Sequence, residues 1–143
     1  MATTAKIYGL AFKSAFNKEI DWDSDTIKAV LVSASYTPNQ DTHQYASSLT
    51  NELTDASYSR KTMTSKAFLY DGSTNKFALD CADFGWTALT GTFRYMVYID
   101  TQTASDATSP LVAYVDFGAD QVAAAQDVNI TVDAAGAVEV TIA

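Results

Sequence analysis

Apolar residues along this chain recur mainly at every second position, in short runs separated by polar clusters that favour turns. Residues 27–32 (Ile-Lys-Ala-Val-Leu-Val) form the first clear strand, apolar enough to lie centrally in a sheet. Residues 59–70 alternate and are rich in Thr and aromatics. Asp71-Gly72-Ser73-Thr74-Asn75 then supplies a turn, and residues 76–79 return antiparallel. Phe84-Gly85-Trp86 precedes a strand over residues 93–99. Its alternation sets Phe93, Tyr95, Val97 and Ile99 on one face and Arg94, Met96 and Tyr98 on the other, so both faces are partly covered. A Ser/Thr/Asp-rich loop ends at Pro110, and a strand over residues 111–117 follows, closed by Gly118. Residues 128–132 and 138–142 alternate around Asp133-Ala134-Ala135-Gly136 and predict a terminal hairpin.

Helical spacing is found near the start. Tyr8, Phe12 and Phe16 recur every four residues, so a short helix there sets three rings on one face. That face either plugs the end of the domain or anchors it on a neighbouring subunit. Between the first strands, Ser35 to Asp41 is rich in turn formers, including Pro38 and Asn39. Residues 42–55 are polar with isolated anchors at Tyr45, Leu49 and Leu53, and connections of this length often carry function. The pattern predicts a mainly β chain: one antiparallel β-sandwich, jelly-roll-like or barrel-like domain over residues 1–143, with residues 1–20 as a helical segment or arm.

Composition narrows the choice of function. A chain of 143 residues suits one domain, and 48% hydrophobic residues exclude a disordered chain. Nine basic against 17 acidic residues give a net charge of −8, the wrong sign for nucleic acid or an anionic membrane. The apolar stretch at residues 7–12 is short and broken by Gly9, and no later run reaches spanning length. A soluble protein retained where it is made is therefore expected.

Catalytic side chains are scarce. The single cysteine, Cys81, has no internal disulfide partner and reads as a small core residue; the single histidine, His43, sits in a polar loop. No serine stands in a nucleophile-elbow motif, no glycine loop cradles phosphate, and zinc would lack Cys and His ligands. Asp21-Trp22-Asp23-Ser24-Asp25 opens like a calcium loop, but Thr26 stands where glycine belongs and Val32 where glutamate belongs, which favours an aspartate-capped turn. Asp80, Asp83 and Asp116 adjoin aromatics that could stack on a sugar, or they simply keep the surface soluble. No enzyme, metal or cofactor is expected.

The run from Asp21 to Leu31, the string Ser35-Tyr36-Thr37-Pro38-Asn39-Gln40-Asp41-Thr42-His43, the segment Tyr95-Met96-Val97-Tyr98, and Pro110-Leu111 with Tyr114-Val115-Asp116-Phe117-Gly118 resemble a set of small structural proteins of tailed bacteriophages. The resemblance is colinear from about Tyr8 to Gly136. It implies a β-sandwich that forms part of the virion, made in the bacterial cytoplasm, with no catalytic residue. Within that set it implies a capsid cement or decoration protein on the outer capsid surface. Its partners would be the major capsid protein and further copies of itself, commonly as a homotrimer, with no nucleic acid and no membrane. Tyr8, Phe12, Phe16, Tyr36, Pro38, Tyr45 and Leu49 are the candidate contacts. A tail or baseplate component and a carbohydrate-binding module for host adhesion are the alternatives.

Overall fold

The computed structural model describes residues 3–141, so the first two residues of the expected arm and Ile142 of the expected hairpin lie outside the described residues. In chain order the elements are β1 (Thr4–Ile7), α1 (Gly9–Phe16), β2 (Ile27–Val32), β3 (Lys61–Thr62), β4 (Ala67–Asp71), β5 (Lys76–Asp80), β6 (Phe84–Asp100), β7 (Leu111–Ile130) and β8 (Val138–Thr141), with a 3-10 turn at Ala46–Ser48. The fold is mainly β with one short helix near the N-terminus, as the alternation predicts. One sheet has the order β1-β7-β6-β2-β3 and the other β4-β5-β8, and every described pairing is antiparallel.

The larger sheet is buried on both faces, which explains the near-continuous apolar run of β2. On one face Ile27, Ala29, Leu31, Met96, Tyr98 and Val115 join Leu79 and Val138 of the smaller sheet, so the two sheets share a core. On the other face Val30, Val32, Tyr95, Val97 and Ile99 pack beneath Tyr8 and Ala11 of the N-terminal segment and Tyr36 and Ala46 of the long loop.

Four local expectations are corrected. The N-terminal segment is a strand followed by a helix: β1 pairs with β7, Thr4 opposite Asp116. Residues 59–70 are not one strand, because Ser65 adopts a left-handed backbone (φ 49°) that separates β3 from β4. Gly118 does not end its strand. Its φ of 80° forms part of a bulge through which β7 continues to Ile130. The same irregularity, between Phe93 and Tyr95, turns Phe93 to the face of Met96 and Tyr98 and away from that of Val97.

The terminal hairpin is corrected as well. Residues 128–130 pair with Phe84–Trp86, while β8 crosses to the smaller sheet and pairs with β5. The crossing is fixed by Val132 N–H donating to Asp83 Oδ1 (2.8 Å) and Ala137 N–H donating to the Leu79 carbonyl (2.8 Å). Gly136 supplies the backbone conformation (φ 111°) where a Cβ would stand 2.9 Å from that of Ala78.

Candidate functional site

The N-terminal segment carries both the best-buried and the most exposed of the expected contact residues. Tyr8 caps α1 with an extended backbone, and its own N–H donates to the Val112 carbonyl (3.1 Å). That anchorage drives its ring into the core. Its hydroxyl shares a 2.8 Å hydrogen bond with the Tyr36 hydroxyl, which lies 3.0 Å from His43 Nδ1. Burial pushes the Tyr8 and Tyr36 phenols up and the His43 imidazole down, so all three are neutral at ordinary pH. Tyr8 and Tyr36 are therefore corrected from surface contacts to core residues, because a buried phenol needs a polar partner and each supplies the other's.

Pro38, Tyr45 and Leu49 are half-buried. Tyr45 pairs with Pro110 through an isolated bridge, and its hydroxyl donates to the Glu19 carboxylate (3.3 Å) just beyond the helix. Leu49 packs on the core beneath the long loop. These three residues fasten the loop to the sheet and the helix exit. They are not gathered with Phe12 and Phe16 into one patch.

Phe12 and Phe16 stand apart from all of these. The helix buries Ala11 and Ser14 and turns the two rings outward, with Phe12 40% and Phe16 88% exposed. Across from them, β4 leaves Phe68 at 53%, Leu69 at 48% and Tyr70 at 60% exposure. Between helix and strand runs a groove of about 310 Å³ bordered by Phe12, Phe16, Ile20, Trp22, Phe68 and Phe77, and every residue lining it is apolar. Isolated exposed apolar residues are ordinary; here they adjoin one another along a single apolar groove on an acidic domain.

Sequence reasoning found the helix half of this groove and missed the β4 half. Phe68, Leu69 and Tyr70 are the signal: three consecutive large apolar residues cannot all face the core of a half-buried strand, since neighbours point to opposite faces. An adjoining hollow of about 580 Å³ is polar on one side, lined by Lys18, Asp21, Asp23 and Asp25. There Asp21 Oδ1 accepts the Ser24 N–H (3.2 Å) and Asp25 Oδ2 accepts the Asp21 N–H (2.8 Å), the aspartate-capped turn read from the sequence. Among the described residues no group of three or more His, Cys, Asp or Glu is placed to hold a metal.

The remaining candidate chemistry is engaged structurally. Cys81 is buried with its Sγ 3.9 Å from Met63 Sδ, and burial pushes its thiol up to about 11, so it is no nucleophile at neutral pH. Asp80 Oδ1 accepts the Cys81 N–H, Asp83 caps Val132, and Asp116 pairs with Arg94 at 3.1 Å. Both tryptophans, the residues best suited to stack on a sugar, are buried. Trp22 Nε1 donates to the Asp80 carbonyl (2.9 Å) and Trp86 Nε1 to that of Ser59 (2.7 Å). No described helix is long and apolar enough to cross a membrane. No family model, curated protein or solved structure matches the chain.

Proposed function

We propose that this chain is a structural protein of a bacteriophage virion, a cement or decoration protein that binds the major capsid protein on the outside of the head. The observation that carries the reading is the apolar groove between α1 and β4, edged by Phe12, Phe16 and Phe68 on an otherwise acidic domain. The resemblance of the Ser35–His43 string and the strands around it to tailed-phage structural proteins gives that surface a context. Cement proteins act by adding contacts at joints between shell subunits. A rigid two-sheet body with exposed aromatic anchors suits that task, because buried aromatics supply most of the binding energy at such contacts. The net charge of −8 suits a surface kept away from packaged DNA.

In this reading Phe16 is the principal anchor, being the most exposed aromatic of the groove. Purified protein is added to shells lacking it, and binding is followed by co-sedimentation. Phe16→Glu is expected to weaken binding at least tenfold with no change in unfolding midpoint, since the ring has little to lose in the free protein. Full-strength binding by Phe16→Glu would remove α1 from the contact. Binding to purified tails in place of shells would favour the tail or baseplate role.

A further inference from the structure

The strand on the far side of the groove has a feature that capsid binding does not use. β4 is the outer strand of the smaller sheet: it pairs with β5 on one side, and among the described residues nothing pairs with its other side. Edge strands ordinarily carry a device against pairing with another chain, such as a charge, a bulge or very short length. The other outer strands here carry one. β3 has two residues, one of them Lys61; β1 carries Lys6; β8 carries Glu139. From Ala67 to Tyr70, β4 carries none, and it pairs with β5 in unbroken register from Ala67 opposite Asp80 to Asp71 opposite Lys76. Short of Asp71 at its end, its backbone donors and acceptors form an edge with no bulge and no charged side chain.

We propose that this edge is the self-association surface of the protein: β4 pairs antiparallel with β4 of a second copy about a two-fold axis at Leu69, joining two three-stranded sheets into one of six strands. The occupant follows from the order of residues along the strand. With Leu69 opposite its own counterpart, Phe68 stands opposite Tyr70 of the second copy, and Tyr70 opposite its Phe68. This makes two aromatic cross-strand pairs on one face and a Leu–Leu pair on the other. Phe68 and Tyr70 lie on the face of Leu79 and Phe77, their partners on β5, so the incoming Tyr70 arrives at the mouth of the apolar groove.

The strand ends set no like charges against each other: antiparallel pairing places the Lys66 end of each strand beside the Asp71 end of the other, with Lys66 Nζ donating to the Asp23 carbonyl (3.1 Å). The excess acidity of the chain is no obstacle at this edge, because between those two ends no charged residue occurs. The association is a two-fold pair, in place of the threefold arrangement that the resemblance implies. It stands independently of the capsid reading.

The test measures the mass of the full chain in solution by analytical ultracentrifugation across micromolar concentrations, beside Leu69→Lys and Val122→Lys. Both positions are exposed, so both substitutions leave the core intact, and circular dichroism checks that they do. The expected result is a concentration-dependent species of twice the 15.4 kDa chain. Leu69→Lys, which sets two ammonium groups against each other at the axis, weakens it by roughly tenfold or more, and Val122→Lys leaves it unchanged. Amide exchange over Ala67–Asp71 slows with concentration in the wild type and in Val122→Lys, and not in Leu69→Lys. A monomer at every concentration, a trimer, or a dimer indifferent to Leu69→Lys overturns the proposal. So does β4 protection that appears only on capsid shells, which would assign the edge to a foreign strand. Loss of shell binding by a chain that still pairs would count against the cement reading alone.

Discussion

Asp100, the last residue of β6, is fully buried, and replacing it with asparagine makes stability less sensitive to pH. Its Oδ1 accepts the Gln102 N–H (2.9 Å), while Oδ2 has no partner. Burial first, and then the neighbouring Asp25 carboxylate, push its acid up from 3.8 to about 7. The groups facing it are Asp25 and the backbone N–H groups of Asp21 and Gln102, with no cation among them. The folded state therefore holds a proton that the unfolded chain releases near pH 4. The stabilisation is complete below pH 3.8 and is lost as pH rises through about 7. Each tenfold change in proton affinity is worth ~1.4 kcal/mol, so the cost of ionising Asp100 in place reaches roughly 4 kcal/mol as an upper bound. Asp100→Asn keeps the acceptor for Gln102 and carries no ionisable proton. Urea unfolding at intervals from pH 4 to pH 8.5 should show the two proteins close to equal at the acid end. At the alkaline end the variant should lead by about 1–3 kcal/mol, once relaxation around the ionised acid is allowed for. Parallel stability curves across that range would show that Asp100 is ionised throughout, and the reasoning would fail.

Other outcomes follow from the same geometry. Tyr36→Phe removes the middle of the Tyr8–Tyr36–His43 chain and strands the buried Tyr8 hydroxyl, costing about 1–3 kcal/mol in urea unfolding; a loss near zero would mean that water reaches Tyr8. Ala88 and Ala125 hold left-handed backbones (φ 50° and 53°) on the exposed ribbon of β6 and β7. Glycine at either should raise the thermal midpoint by roughly 2–4 °C, an effect of about 1 kcal/mol, and a lowered midpoint would show that the ribbon carries no strain there. Gly85→Ala presses a Cβ against the Val128 carbonyl and 2.8 Å from Asn129 Oδ1, so it should cost at least about 2 kcal/mol by forcing the β6–β7 pairing apart; wild-type stability would place the two strands farther apart than described.

Alternation along the chain was enough to find most strands, because it reflects which side of each residue meets a core. It predicted Ile27–Val32 with its observed bounds and the turn between β4 and β5, where Asp71 accepts from Ser73 and Thr74 and is pulled down to about 2. Pairing partners were less legible. Residues 128–130 and 138–141 look like neighbours in a hairpin, yet one segment joins β6 and the other β5, a choice made by Asp83 and Leu79 some fifty residues away. Bulges hid the continuity of β6 and β7, since an extra residue breaks the two-residue period that identifies a strand. At the site, the helical spacing of Phe12 and Phe16 was visible, but the same spacing enrolled Tyr8, whose backbone anchorage to Val112 puts it inside. Nothing in β4 by itself says that it ends a sheet, and only that position leaves Phe68, Leu69 and Tyr70 uncovered.

Imaging of whole particles tests the central claim most directly. A reconstruction of the virion should show the two-sheet domain on the outer face of the head, in hundreds of copies, with α1 and its Phe12 and Phe16 directed at the major capsid protein. A head that carries none of it, with the domain absent from the particle or confined to the tail, would contradict the account.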